Sequence, residues 1–568
     1  MQGAQRWYLR RQAPTNIASL YPDLDPVLAR VLYARRIDTL ARLEAFWSDS
    51  FELANPFSMA GMNEAVARLR QALIRQEPIV VYGDYDVDGI SATVLLVSAL
   101  RKLGGRVSYY VPDRFSEAYG LNNDALTHLY ESGARLVVTV DCGIRSPNEV
   151  AHAHSLGLDI IVTDHHSVPA QLPSTPAVID PKRSDCPYPF KELAGVGVAY
   201  RLADALFRVQ ARMTGFDPSC LDELLDLVAL GTVADIVPLI DENRTLVRRG
   251  LERMRSVPRP GLQALMDVAG VKVEDVDSQD IAFRLGPRLN AAGRLQHASL
   301  AYDLLMAETY EAARPLAEQL DAVNRERQSM LEKQVEQARQ GLGDLDGRPL
   351  LLVHGPDYHE GLVGLIASRL TEEFYRPTLV MRAEEEGARG SARSVEGFHI
   401  THALDACADL LSRYGGHERA AGFSLPNENI PALYERLLAY ADEHLDEETL
   451  SRRYTVDAIV RLDELHEGTP AALRMLDPMG EGNPEPALAS TGLLARSVRT
   501  VGKEAKHLRL EVAGDGCSLC AIAFRMGDLA QTVRPGSHVD LIYRPDLNEW
   551  QGRTSLQLVV SALRLSET

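Results

Sequence analysis

Three aspartates stand within seven residues, Gly83-Asp-Tyr-Asp-Val-Asp-Gly89, directly after the apolar run Pro78-Ile-Val-Val-Tyr82. Carboxylates this close repel one another unless a cation neutralises them, so the cluster reads as a site for divalent metal. Further acids and imidazoles follow other apolar runs. Asp141 comes after Leu136-Val-Val-Thr-Val140, Asp164, His165 and His166 come soon after Ile160-Ile-Val162, and Asp235 ends Gly231-Thr-Val-Ala-Asp235. Taken singly, each aspartate is an ordinary turn former or helix cap. Taken together, carboxylates and imidazoles without thiolates suit Mn²⁺ or Mg²⁺ better than structural zinc. Several ligands, some able to bridge, point to two ions about 3.5–4 Å apart, the arrangement that serves phosphodiester hydrolysis.

Such residues converge only if the fold brings their chain segments to one edge. From residue 78 to about 240, short β-rich runs (79–82, 106–111, 135–140, 159–163, 177–179) alternate with amphipathic helices such as 91–103 and 148–156. This alternation predicts an α/β fold with a doubly wound parallel sheet, in which the carboxyl ends of neighbouring strands open onto one crevice. Around that block the chain divides further. Residues 1–76 read as an N-terminal helical cap with helical periodicity at 27–40 and 63–74, 77–300 as the catalytic domain, and 301–347 as a long connecting helix. Residues 348–450 read as a smaller α/β domain with strands at 350–353 and 378–381 and helices at 361–374 and 400–413. Residues 451–568 read as a small β-barrel, with strands at 507–512, 518–523, 539–543 and 555–560.

With 568 residues, 45% hydrophobic and 24% charged, the chain is an ordinary globular one of several domains. No N-terminal signal segment and no apolar run of membrane-spanning length is evident, which predicts a cytoplasmic protein without a membrane partner. Six scattered cysteines make no disulfide framework, and Cys517 and Cys520 read as small residues on opposite faces of a strand. The net charge of −19 is no bar to nucleic acid, which needs only a local basic track.

The string Thr163-Asp-His-His166, together with Gly83 to Gly89, Val140-Asp-Cys-Gly143 and Gly231 to Asp235, resembles the DHH phosphoesterase superfamily. The second α/β block resembles the companion DHHA1 domain through Gly415-Gly-His-Glu-Arg-Ala-Ala-Gly-Phe423, and the last block resembles an OB-fold. More narrowly, Asp113-Arg-Phe-Ser-Glu-Ala-Tyr-Gly-Leu121, Leu193-Ala-Gly-Val-Gly197 and Gly390-Ser-Ala-Arg-Ser394 are similar to the RecJ family of single-strand-specific exonucleases.

The resemblance implies a two-metal catalytic site of Asp86, Asp88, Asp141, His165 and Asp235, with Asp84 and His166 in or beside it and Asp141 as the bridging carboxylate. Pyrophosphatase relatives carry a histidine where this chain has Tyr82, which makes Asp84 the substitute ligand. Arg114, Ser391, Arg393 and His417 would bind a 5′-phosphate, since glycines admit the backbone closely and an arginine fork takes phosphate bidentately. Arg288, Asn290 and Arg294, in a loop before the long helix, would line an entrance too narrow for a duplex. Lys503, Lys506, His507, Arg509, Arg525, Tyr543, Arg544 and Trp550 are candidates for gripping a strand on the OB-fold.

The implied activity is metal-dependent 5′-to-3′ degradation of single-stranded DNA to 5′-mononucleotides in DNA repair and recombination, with the strand threading from the barrel into a cleft between the α/β blocks. Mn²⁺ or Mg²⁺, two ions per site, would be the cofactors. A DNA single strand with a 5′ end would be the partner, alongside a single-strand-binding protein and a helicase, and the enzyme would act as a monomer. Two alternatives stand beside it. A DHH phosphodiesterase of short oligoribonucleotides or cyclic dinucleotides would have no need of the connector and barrel. A non-catalytic replication scaffold would have no reason to keep so many repelling carboxylates.

Overall fold

The computed structural model of the chain describes residues 5–14, 16–48, 53–114, 117, 120–343, 345, 347–550 and 552–566. Phe115, Ser116, Ala118 and Tyr119 of the 113–121 motif, and the side chain of Trp550, lie outside the described residues. The chain forms two compact units, one of residues 48–327 with 476–484, the other of residues 1–47 with 328–475 and 485–568. Among the described residues no helix is long and apolar enough to cross a membrane.

The first unit is built on a parallel sheet with strands in the order Val107–Tyr110, Ile79–Tyr82, Leu136–Thr139, Asp159–Thr163, Ala177–Ile179. The central strands Ile79–Tyr82 and Leu136–Thr139 are mainly apolar and buried along their whole length, as strands covered by helices on both sides must be. Successive residues enter different cores. Ile79, Val81, Leu136 and Val138 join one core with the helices Met62–Arg75, Val87–Lys102 and Gly195–Thr214; Val80, Tyr82 and Val137 join another with Asn123–Glu131 and Pro147–Leu156. The sheet is therefore doubly wound, and the carboxyl ends of its strands share one edge.

The second unit holds a mixed sheet in the order Arg413–Gly416, Ala420–Leu425, Gly387–Arg393, Thr378–Glu384, Leu351–Gly355, in which only the last two strands pair in parallel. The helix Val363–Phe374 contributes to the core on one face, and Ile400–Asp405 with Ile430–His444 to that on the other. The same unit carries a barrel of Leu488–Val501, His507–Gly514, Cys517–Ala523, Arg553–Leu565 and His538–Trp550, closed by pairing of the first with the last. Cys517 and Cys520 lie on one of these strands as free thiols.

Several elements differ from the sequence expectation. The first residues are not all helical: Gln5–Leu9 is a strand paired in parallel with Arg452–Val456. The long helix is Tyr310–Leu342, preceded by a separate helix Ser299–Met306. The break follows from Ala307, extended at ψ 129°, and from Thr309, whose hydroxyl accepts from the Ala312 amide at 3.2 Å and caps a new start. Arg288, Asn290 and Arg294 lie on a helix, Gly286–Leu295, with Pro287 in its first turn, rather than in a loop. The helix begun at Ile400 ends at Asp405, because the chain must turn into the edge strand Arg413–Gly416.

Candidate metal centre and phosphate strip

The strand Ile79–Tyr82 runs into Gly83, where a Cβ would lie 2.0 Å from the Thr93 hydroxyl, so the turn admits no side chain there. Asp84 follows and is buried. Asp86 caps the helix Val87–Lys102, accepting from the Gly89 amide at 3.0 Å. Asp88, in the first turn, accepts from the amides of Gly195 at 2.6 Å and Val196 at 2.9 Å, at the start of the helix Gly195–Thr214. Glycines clear the room these acids occupy: a Cβ at Gly195 would meet Asp141 Cβ at 2.7 Å, and one at Gly231 would meet Asp88 Oδ1 at 2.7 Å. Asp141 itself is held at φ 62°, the left-handed region an L-residue adopts only under constraint.

At the shared edge, His165 Nε2 lies 3.0 Å from Asp141 Oδ1, 3.6 Å from Asp235 Oδ2 and 3.9 Å from Asp88 Oδ2. Ligand atoms converge within 4.8 Å in three overlapping groups: Asp84, Asp86 and Asp141; Asp88, His165 and Asp235; Asp141, His165 and His166. Burial, followed by the charges of neighbouring aspartates, pushes Asp84, Asp141 and Asp235 well above the usual carboxylate range and Asp88 up to about 7. Burial, with the charge of His166, pulls His165 down to about 3 and keeps its ring neutral. Asp84 Oδ1 is buried without a hydrogen-bond partner, and His165 Nε2 faces only the crowded carboxylates. Buried acceptors left this way, beside crowded carboxylates and with no thiolate among them, form a donor set that fits Mn²⁺ or Mg²⁺.

The neighbouring side chains hold this set in place. Asp164 accepts from the amides of Ile144 at 2.9 Å, His165 at 2.7 Å and His166 at 3.1 Å, and contacts His166 Nδ1 at 2.8 Å, so its oxygens orient the histidines. Burial works against its charge, but the His166 bond and charge outweigh it and bring Asp164 to about 2. Tyr82 faces the opposite core, its hydroxyl donating to Gly120 O at 3.1 Å, which leaves Asp84 as the acid this strand end contributes. Asn290 Oδ1 accepts from the Val87 amide at 3.2 Å, and a Cβ at Gly293 would meet Tyr85 O at 2.7 Å, so the helix Gly286–Leu295 clamps the aspartate loop. Arg288 is tied to Asp321 at 2.9 Å and to Arg284 O at 2.7 Å. The charges of Arg294 and Arg114 act on Tyr85, Arg114 also acts on Asp84, and the Arg114 guanidinium sits 4.9 Å from the Tyr85 ring centre.

Sequence reasoning missed Asp180. It follows the strand Ala177–Ile179 as the other acids follow theirs, is fully buried, and has an Oδ2 without a hydrogen-bond partner. The same pattern of an apolar run ending in aspartate was available to find it.

In the mixed sheet, a Cβ at Gly364 would lie 2.9 Å from Arg393 Nη2 and 3.3 Å from Ser391 Oγ, so this glycine is the floor of a cradle for both. The strand register places Arg393 opposite Ala420, whose carbonyl accepts from the His417 amide at 2.8 Å. The next row on that face runs Ser391, Gly422, Gly415, and a Cβ at either glycine would meet nothing within 4 Å. The result is a strip of bare backbone beside a hydroxyl and a guanidinium, open to close approach by phosphate. On the barrel, His507 meets the exposed Phe524 edge-on at 5.3 Å and accepts from the Arg525 amide at 3.0 Å. Lys506 and Arg544 are paired with acids, and Arg509 contacts Cys520 Sγ at 3.2 Å. Tyr543, expected on the gripping surface, is instead fully buried with its hydroxyl 2.8 Å from Ser490 Oγ.

Comparison with known proteins covers every block. Residues 78–232 match the DHH family N-terminal domain, 347–443 the DHHA1 domain and 456–562 the RecJ OB domain. The chain is 39% identical over 573 residues to the single-stranded-DNA-specific exonuclease RecJ of Bacillus subtilis, covering 99% of this chain and 71% of that protein. It is 37% identical over 582 residues to the Escherichia coli protein of the same name, covering 98% and 99%. The crystal structure of RecJ from Thermus thermophilus in complex with Mn²⁺ matches with a TM-score of 0.85 at 30% identity, over 100% of this chain and 81% of that one, and its Mg²⁺ complex with a TM-score of 0.79. From barrel to metal-site loops, the chain belongs to the RecJ family of single-stranded-DNA-specific exonucleases.

Proposed function

We propose that this chain degrades single-stranded DNA from its 5′ end, one nucleotide at a time. The observation that carries this reading is the convergence of the buried Asp88 and Asp141 and the half-buried Asp235 on His165. Asp84, Asp86, Asp88, Asp141, His165 and Asp235 would hold two divalent ions, with Asp141, common to two of the ligand groups, shared between them. When bound, such ions lower the pKa of water and neutralise charge on a phosphodiester.

The chain's own groups do the rest. Ser391, Arg393 and His417 take the 5′-phosphate, the bare row at Gly415 and Gly422 admits the sugar-phosphate backbone, and Arg114 adds positive charge near Asp84. Burial lowers the pKa of His166, but its Nδ1 bond to Asp164 and the nearby carboxylates outweigh that and raise it, so His166 as an imidazolium would supply a proton to the departing 3′-oxygen. Water adds to phosphorus and the bond to that oxygen breaks, which releases a 5′-mononucleotide and leaves a new 5′-phosphate on the shortened strand. The barrel would grip the single strand, with His507 and Arg525 beside the exposed Phe524 and Lys503 as a further cation. Such an enzyme acts as a monomer in the cytoplasm during DNA repair and recombination, where a helicase and a single-strand-binding protein supply its substrate.

The test digests matched DNA single strands, duplexes and RNA, labelled at either end, with Mn²⁺, Mg²⁺ or EDTA. Immediate release of a labelled mononucleotide from 5′-labelled single-stranded DNA, abolished by EDTA, is expected. First release from the 3′ end, equal attack on duplex, or preference for two-nucleotide RNA would overturn the reading.

A further inference from the structure

Ile236 follows the metal-site residue Asp235 directly and is out of keeping with its surroundings in two respects. It is 72% exposed, and its backbone sits at φ 61°, a region that β-branched residues avoid because the branched carbon crowds the backbone. Its neighbours Val237 and Leu239 turn inward and are buried, so the loop could have hidden an isoleucine but does not. Ile236 stands just past the end of the helix Leu225–Ala234, where a left-handed residue is usually glycine, with its amide donating to Val233 O at 3.3 Å; the loop beyond is pinned, the Leu239 amide donating to Glu481 O at 2.7 Å and Asn243 Nδ2 to Pro238 O at 3.0 Å. Glycine or asparagine would occupy this backbone without strain and without exposing hydrocarbon to water. Strain that the surrounding structure enforces is characteristic of residues presented to a ligand.

Consecutive Cα atoms are about 3.8 Å apart, so the exposed Ile236 stands directly beside the acid at which hydrolysis would occur. Unpaired bases are the apolar surfaces of a single DNA strand, and every base offers one, whatever the sequence. Resting on the nuclease reading above, we infer that Ile236 is a substrate-contacting residue, an apolar shelf against which an unpaired base next to the scissile phosphate is packed. A base stacked within a duplex cannot offer its face, so the shelf favours single strands.

The experiment measures kcat/KM for the wild type, Ile236→Gly and Ile236→Asn on a 5′-phosphorylated oligonucleotide and on its twin with abasic sites at the first two positions. Both variants relieve the strain, so both should melt at or above the wild-type temperature. On normal DNA both should lose about tenfold in kcat/KM, the scale of covering one isoleucine side chain. On abasic DNA the wild type should fall to the level of the variants, which should lose little more. Unchanged activity in both variants, or an equal fractional loss on the two substrates, would overturn the inference while leaving the nuclease intact. If the wild type itself fails to cleave single-stranded DNA, it is the nuclease reading that fails.

Discussion

The parallel sheet of the first unit ends in acids that are buried and crowded, Asp84 and Asp180 each with an oxygen lacking a hydrogen-bond partner, whereas the mixed sheet of the second presents, beside Ser391 and Arg393, a row with no side chains. One region is shaped by what its residues carry, the other by what they lack. In the first, glycines at 195 and 231 make room for carboxylates; in the second, glycines at 364, 415 and 422 make room for a guanidinium and for whatever binds it. The same residue type serves a charge-concentrating site and a charge-receiving one. The contrast predicts that damage to the first region stops chemistry and damage to the second weakens grip.

The largest expected effect comes from Asp141→Ala. Removing the acid common to two ligand groups should lower single-turnover cleavage on the order of 10³-fold. Binding of a single strand should change little in a filter or anisotropy titration. Cleavage within tenfold of wild type would break the comparison at its first term.

Next comes Arg393→Ala, which removes a charge-assisted bond worth about 1.5–3 kcal/mol. KM for 5′-phosphorylated DNA should rise by about tenfold to a hundredfold, with kcat within threefold. On DNA with a 5′-hydroxyl the variant and wild type should match. Gly364→Ala sharpens the point: its methyl would lie 2.9 Å from Arg393 Nη2, so a rise in KM of about threefold, again confined to phosphorylated ends, is expected. A fall in kcat instead would mean that the cradle belongs to the chemistry.

The two regions were also unequally legible. Asp84, Asp141, Asp164 and Asp235 could be read because each closes an apolar run, and a strand or helix must end where its carboxylate begins. Asp180 obeys the same rule after the expected strand Ala177–Ile179, so the signal was there as fully as for the others. Asn290 could not be read as a clamp, since its partner amide at Val87 is 203 residues away. The barrel's first strand, Leu488–Val501, escaped notice because its alternation is broken by register shifts between Ser490 and Leu493 and between Ala495 and Ser497. Contiguous domain boundaries hid a further point. Residues 476–484 group with the parallel-sheet unit, where Arg244 binds Leu476 O at 3.1 Å, Asp477 O at 3.0 Å and Pro478 O at 3.2 Å. Deleting everything after residue 451 would therefore strip that unit as well, and point substitutions are the cleaner probe of the barrel.

The smallest effect, a shift in melting, separates a metal-site acid from one that is only buried. Burial, aided by Asp86, raises Asp88 to about 7, and burial raises Asp180 to about 7, both from 3.8. Between those values the folded chain holds protons that the unfolded chain has released, so the metal-free fold loses stability as pH rises from about 4 to 7 and loses no more from these groups above that. In EDTA the melting temperature should fall on the order of 5 °C between pH 5 and pH 8. Mn²⁺ should restore it, and more at pH 8 than at pH 5, because carboxylates must lose their protons to bind. Asp180→Asn should remove part of the fall in EDTA and leave the Mn²⁺ increment unchanged. If that variant instead abolished the increment, Asp180 would belong with the acids that hold metal, and the parallel sheet would present ligands at one more of its strand ends.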